Sequence, residues 1–382
     1  MRRKLGIVIA VCAAVALVGT TSAAAWSYST DDNRPVGTWH EAPAAVRKPV
    51  ALVRTAGAQQ VGRVVRVTAA RDVYHYPGAS YVKLHFSRIT LARGGYLTVS
   101  KPDGTESYRY ATPATDKWAM SISGDTARLR LHGARVQVDR VARGYTPKEQ
   151  TRAGQGRREE SVCGGDESAD AACYKSADPV AYTRSRAIAR LLINGTELCT
   201  AWRVGPKNRL LTNNHCLSTT AGAFETEVWF NYQCASCGGH DAYQPTKVWG
   251  SKVLATDHVY DYTLFSVGNF AGVRKFGYLV LDTARPVKGQ ELYIPQHPAG
   301  QPTRIAGSRG ERAGTCAVAS NSYTGYAARS DVSYYCDTEG GSSGSPVLSR
   351  RTNRVVAMHH FGGCPNSGVR ADLLTVKLKS LL

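Results

Sequence analysis

Residues 339–347 read Glu-Gly-Gly-Ser-Ser-Gly-Ser-Pro-Val. By composition this is a flexible Gly/Ser linker that carries no chemistry. A glycine-dense turn holding several serines is also what a hydroxyl nucleophile needs to project from a tight bend. In the pattern G-x-S-G-x-P over residues 341–346, Ser343 lies between two glycines. Gly341, two residues ahead, lets the backbone turn so that the N–H groups of Gly341 and Ser343 face one point. Two such donors form an oxyanion hole, and losing one typically costs about 2.7–4 kcal/mol of transition-state stabilisation.

Two further segments give this string a context. In Arg209-Leu-Leu-Thr-Asn-Asn-His-Cys216 an apolar strand runs directly into a His-Cys pair, which places His215 well for a general base. In Val259-Tyr-Asp-Tyr-Thr-Leu-Phe265, Asp261 opens an aromatic-rich strand. Burying an acid there is costly unless it accepts hydrogen bonds, for instance from an imidazole N–H. Alone, His215 reads equally as a surface or core histidine and Asp261 as a strand-edge acid. Their order with Ser343, at separations of 46 and 82 residues, decides the reading. It is the chymotrypsin-type order of a His-Asp-Ser triad, distinct from the subtilisin and α/β-hydrolase orders.

The ends and composition set the frame. The 382-residue chain opens with Arg2-Arg-Lys4, an apolar run from about Leu5 to Val18, and small residues ending at Ala25. This is the build of a secretory signal peptide over 1–25, with a membrane anchor as the alternative. No later stretch is apolar enough to span a bilayer, so export without stable membrane insertion is expected. Of ten cysteines, nine follow residue 160, so a disulfide framework serves only the C-terminal part and one thiol is left over. The net charge is +19, with 25 Lys/Arg against 11 Asp/Glu in residues 1–159 and 23 against 18 thereafter. The basic residues are scattered without interleaved aromatics or a nucleic-acid motif, so they read as solvated surface and no nucleic-acid partner is expected.

Residues from about 60 to 145 alternate like strands, as in Tyr81–Phe86 and Ala127–His132, with turn signals at Arg93-Gly-Gly95, Lys101-Pro-Asp-Gly104 and Ser123-Gly-Asp125. They predict a small β-sandwich. A polar linker over 146–160 follows, in which Arg157-Arg158 invites processing. The organisation expected is a signal peptide over 1–25, a β-rich pro-region or accessory domain with linker over 26–158, and a second all-β domain over 159–382.

From about residue 160 onward the chain resembles the trypsin-like secreted bacterial serine endopeptidases, the lysyl endopeptidases above all, with the glutamyl endopeptidases as relatives. The residues carrying this are CTAWRV at Cys199, TNNHC at Thr212, WFNYQC at Trp229, DYTLF at Asp261, YIPQHP at Tyr293, EGGSSGSP at Glu339 and VVAMHHFGG at Val355. The resemblance implies a chymotrypsin-like double β-barrel hydrolysing protein or peptide substrates through His215, Asp261 and Ser343, as a monomer, without metal or organic cofactor. It also implies disulfides Cys199–Cys216, Cys163–Cys364 and Cys173–Cys237. Cys316 and Cys336 are then left to each other and Cys234 unpaired, although Cys234 and Cys237 could exchange roles. A zinc site built on Cys234-x-x-Cys237 with His240, or on His359-His360 with Cys364, is the rival use of these residues.

The chain departs from the pattern at two points. Ser342 stands where animal zymogens carry the acid that pairs with the new N-terminus, so latency would have to come from the N-terminal region. Specificity stays open. Asp337, six residues before Ser343, sits where trypsin-like enzymes bind Lys or Arg, but could be structural. His359 and His360 occupy the stretch where glutamyl endopeptidases bind an acidic side chain, and Asn366 lacks the charge of the lysyl enzymes' specificity acid. Cleavage after Lys/Arg leads, with acidic or neutral preference, or an inactive binding protein on the same fold, as alternatives.

Overall fold

The computed structural model describes residues 71–146, 149, 162–163, 165–239, 241–307 and 316–382, and the strand backbone of 35–38, 53–54 and 56–67. The leader over 1–25, the Arg157-Arg158 pair and His240 lie outside the described residues. Among the described residues no helix is long and apolar enough to cross a membrane.

The N-terminal strands are β1 (Ala56–Val67), β2 (Arg71–His75), β3 (Tyr81–Ser100), β4 (Ser107–Tyr110), β5 (Ala114–Trp118), β6 (Ile122–Ser123) and β7 (Thr126–Gly144). All seven join one antiparallel sheet built around the long β3–β7 pair. Arg93-Gly94-Gly95, expected as a turn, is instead a bulge inside β3, between Leu91 and Tyr96. A Cβ on Gly95 would lie 2.3 Å from the Gly133 carbonyl oxygen, so this close approach of two backbones excludes a side chain. The bulges let both ends of the long strands feed one core, where Leu84 and Phe86 meet Leu97, Val99, Leu129 and Val138. A single sheet folded over its own core thus takes the place of the expected pair of sheets.

The second region forms two barrels. The first comprises β8 (Ile188–Ile193), β9 (Glu197–Arg203), β10 (Leu210–Thr212), β11 (Thr226–Phe230), β12 (Thr246–Asp257) and β13 (Tyr262–Val267). They run in the order β8-β11-β12-β13-β10-β9, and β9 pairs back onto β8 to close the ring. Alternation sorts the side chains. Ala189 and Leu191 point into the barrel with Val228, Phe230 and Phe265, Ile188 joins the cluster between the barrels, and Leu192 faces the N-terminal sheet.

The second barrel comprises β14 (Leu292–Gln296), β15 (Arg304–Ala306), β16 (Val318–Tyr323), β17 (Asp331–Tyr334), β18 (Pro346–Ser349), β19 (Val355–Phe361) and β20 (Asn366–Arg370). Its order is β15-β14-β18-β19-β20-β17-β16, and hydrogen bonds from Leu292 N to Cys316 O and Val318 N to Gln290 O bring the last strand back to β14. Between the barrels, Trp202, Leu211 and Leu264 pack on Tyr293, Leu348 and Met358, and the C-terminal helix Ala371–Leu378 adds Leu374 and Leu378. Each fully buried side chain of this kind contributes roughly 1.5–3 kcal/mol, which fixes one barrel against the other. The fold is all-β and chymotrypsin-like.

Disulfides join Cys163 to Cys364, Cys173 to Cys237, Cys199 to Cys216 and Cys316 to Cys336, while Cys234 is a buried thiol. The reading of the basic residues as solvated surface fails in several places: Arg190, Arg203 and Arg370 are buried, and the side chains of Lys83 and Lys247 are fully buried, each against a carboxylate. The strands carrying the two lysines alternate as the sequence suggests. The face that alternation turns outward is covered by the neighbouring unit instead of water.

Candidate active site

Ser343 stands on the loop joining β17 to β18. Gly341 has φ +99° and Gly344 φ +87°, the left-handed region that favours glycine. Space excludes a side chain as well: a Cβ on Gly344 would lie 2.2 Å from Thr200 O, and one on Gly341 2.8 Å from His297 O. The loop is pinned from both barrels. Thr200 of β9 donates through its N–H to Ser343 O and through Oγ1 to Gly341 O, at 2.8 and 2.9 Å. Gly344 N donates to His359 O on β19 at 2.9 Å. Among the described residues no backbone carbonyl takes the N–H of Gly341 or Ser343, which leaves this pair of donors available to an incoming oxygen.

His215 follows β10 in a turn tied to β9 by the Cys199–Cys216 bridge. Its backbone N donates to Asp261 Oδ1 at 3.0 Å, and its Nδ1 lies 2.8 Å from Asp261 Oδ2. Both contacts come from one carboxylate, so the imidazole is fixed in position and in tautomer, with Nδ1 as the donor. The other nitrogen, Nε2, is buried without a hydrogen-bond partner. Asp261 adopts φ +44°, a conformation aspartate tolerates better than most residues, just before β13. Burial pushes its carboxyl up, but hydrogen bonds from His215 and His360 outweigh this and hold it at about 2.

A fixed imidazole with a free buried nitrogen, a buried acid behind it and a serine between two obligatory glycines lie within one span of chain. Residues 199–358, which contain all three, match the family model described as a trypsin-like peptidase domain. The chain carries a trypsin-like peptidase domain. Curated relatives include the Secreted RxLR effector protein 73 of Plasmopara viticola, 40% identical over 229 residues, covering 58% of this chain and 56% of that protein. A second, the Uncharacterized protein y4fB of Sinorhizobium fredii (strain NBRC 101917 / NGR234), is 26% identical over 198 residues, covering 47% of this chain and 28% of that protein. The chain thus spans little more than half the length of the first relative and less of the second. Similar solved structures include a Glu endopeptidase in complex with MPD, 20% identical, TM-score 0.42, covering 58% of this chain and 97% of that one. Another is Deg5, 14% identical, TM-score 0.40, covering 53% and 91%.

The peptidase domain holds one arrangement that sequence reasoning missed. His360, grouped with His359 as a substrate-binding candidate, sits behind the His215–Asp261 pair. Its Nδ1 lies 3.2 Å from Asp261 Oδ2 and its Nε2 2.6 Å from Asp331 Oδ2. Asp331 also accepts from the hydroxyls of Ser330 and Ser367 at 2.7 and 2.9 Å. A ring with a carboxylate on each nitrogen satisfies both only as the imidazolium. Burial opposes that cation, yet the hydrogen bonds and charges of Asp261 and Asp331 raise His360 above the ordinary histidine range.

The remaining specificity candidates separate. His359 is buried with Nδ1 2.8 Å from the Tyr334 hydroxyl, and burial together with the nearby His360 and His215 pushes it down to about 3. It is therefore neutral across the working range. Asp337 is 5% exposed, and its Oδ2 accepts from Glu167 N at 2.9 Å. Burial raises its carboxyl to about 6, against the hydrogen bonds from Glu167 and Cys163 and with the help of the charges on Asp166 and Glu167. Asn366 donates to Cys336 O at 2.8 Å, a structural bond beside the Asp337 loop. Cys237 and Cys364 are in disulfides, which removes the thiolates that the rival zinc readings require.

Proposed function

We propose that the protein is a secreted serine endopeptidase that cleaves after Lys or Arg, with His215, Asp261 and Ser343 as its triad. The observation carrying this is the His215–Asp261 pair with His215 Nε2 buried and unpartnered, in the same domain as Ser343 on its glycine-flanked turn. Ser343 Oγ attacks the scissile carbonyl carbon while His215 Nε2 takes its proton. Negative charge moves to the carbonyl oxygen, which the N–H groups of Gly341 and Ser343 receive. His215 then returns the proton to the leaving amine, the acyl-enzyme forms, and water repeats the sequence to release the acid. Asp261 holds the tautomer and stabilises the transient imidazolium. His360 is a positioning residue that holds Asp261 from the far side.

The basic preference is supported by the place of Asp337 six residues before Ser343 and by Asp166 and Glu167 beside it, an acidic setting that a cationic side chain relieves. A second reading, acidic preference through His359, is weakened because His359 is held neutral. Extracellular location is supported by the disulfides and by the secreted relative. Residues 26–158 are read as an N-terminal β-rich unit with its linker. A fluorophosphonate probe tests the nucleophile: the native protein labels and Ser343→Ala does not. Equal labelling of the two sinks the assignment, and a peptide library reads the preference.

A further inference from the structure

The face where the N-terminal sheet meets the first barrel carries buried charges whose counter-charges lie in the other unit. Glu227 of β11 is completely buried. Its Oε1 accepts from Lys83 Nζ at 2.7 Å and Ser121 N at 2.9 Å, and its Oε2 from Ser121 Oγ at 2.6 Å. Among the described residues one further donor, Trp229 Nε1 at 2.8 Å, comes from the barrel itself. Lys247 of β12, also completely buried, donates to Glu106 Oε1 at 2.7 Å, Ser121 O at 2.8 Å and Ser123 Oγ at 3.2 Å, all from the N-terminal unit. The two ion pairs cross the interface with opposite polarity, lysine to glutamate in one and glutamate to lysine in the other. A slipped or inverted docking would set like charges together.

Apolar packing surrounds these pairs. Tyr81 joins Leu192, Leu198, Trp229, Tyr232 and Ala242 in one core cluster, and its hydroxyl donates to Gly195 O at 2.6 Å. An indole covers each cation, with Lys247 Nζ 4.0 Å from the Trp229 ring centroid and Lys83 Nζ 4.7 Å from that of Trp249. A surface meant to be vacated would leave Trp229, Tyr232 and Leu192 as an exposed patch on the peptidase domain. None of the interface residues named here belongs to the triad, the Ser343 loop or the Asp337 loop.

We infer that residues 71–146 are a permanent part of the working protein, locked to the first barrel by the Lys83–Glu227 and Glu106–Lys247 pairs, so that cutting the 150–161 connection yields a two-chain protein rather than a freed peptidase domain. This stands independently of the peptidase reading, because its readout is mass and not activity.

The test is made on the full chain carrying a recognition sequence for a site-specific protease between Gly154 and Gln155. After complete cleavage, both fragments are expected to elute together at the mass of the intact protein. They should still do so at 1 M salt, since buried pairs are little screened. Separate elution of the N-terminal fragment under native conditions overturns the inference. Lys247→Met in the same chain leaves Glu106 buried without its cation, and should raise release after cleavage by roughly 100-fold or more. Co-elution that Lys247→Met leaves unaltered would show that the charges do not form the lock.

Discussion

Replacing Asp337 by Asn separates the stability of the fold from the recognition proposed for it. In the folded protein this carboxyl is raised from 3.8 to about 6, first by burial and then by Asp166 and Glu167. A raised acid favours folding when protonated. Its contribution is therefore complete below the unfolded value near 3.8 and is lost as pH rises through about 6. The shift corresponds to a cost of about 3 kcal/mol for keeping the ionised form at pH 8. Asn is neutral at every pH and keeps an oxygen for the Glu167 N–H, although its amide cannot accept the second backbone bond. Relative to the native protein, Asp337→Asn should gain about 2 kcal/mol of stability between pH 4 and pH 8. Denaturant titrations with the disulfides intact, at both pH values, measure this directly. At pH 8 kcat/KM for Lys and Arg substrates should fall by roughly 100-fold or more, the cost of removing a buried charge partner. A stability difference that does not change with pH, or one that favours the native protein more at pH 8, refutes the account.

Asp331→Asn allows His360 to be satisfied as a neutral ring and so removes a cation close to His215, the proposed base. The ring nitrogens of His215 and His360 both bond Asp261 Oδ2, so they are no more than about 6 Å apart, where unit charges interact by about 2.8 kcal/mol at an effective dielectric of 20. The acidic limb of the kcat/KM profile should move to higher pH by up to about two units, less what the lost Asp331 charge takes back, with KM little altered, and superimposable profiles would reduce the His360–Asp331 pair to a packing role. Gly344→Ala places a methyl group 2.2 Å from Thr200 O in a left-handed conformation. Displacing the Ser343 turn by about 1 Å should cost roughly 100-fold in fluorophosphonate labelling rate, and unchanged labelling would show that the turn geometry is not needed.

The segments proposed as catalytic are legible because each is local. A G-x-S-G string states its own backbone conformation, and positive φ at Gly341 and Gly344 is what the glycines permit. The β-rich character of both regions follows from short alternating runs and turn residues for the same reason. What was not legible depends on register between distant strands. Asp331 is an ordinary strand-opening acid until β17 pairs with β20 and β20 with β19, which leave a single strand between it and His360. Arg93-Gly-Gly95 reads as a turn because glycine permits both a turn and a bulge, and only the length of the paired β7 distinguishes them. Lys83, Glu106, Glu227 and Lys247 each look like surface charges in their own strands, since the face that covers them lies more than a hundred residues away.

The buried acids also explain why Asp337 is the group to watch. Glu227 is raised by burial and brought down further by Lys83 and Lys247, and Glu106 is raised by burial and brought down by Lys247. Asp261 is raised by burial and lowered by two imidazoles. In each case the fold itself supplies a cation. Among the described carboxylates with a displaced pKa, only Asp337 moves upward, and the charges the fold adds there, Asp166 and Glu167, have its own sign. On the proposed reading the cationic side chain of the substrate enters this acidic setting and favours the ionised Asp337. Binding a Lys or Arg residue would then lower the Asp337 pKa and, below about pH 6, expel a proton from it. KM for basic substrates should accordingly fall as pH rises through about 6, while that for a substrate with an uncharged residue at the same position should not. Equal pH dependence for the two would remove Asp337 from recognition and leave it as a support for the Ser343 loop.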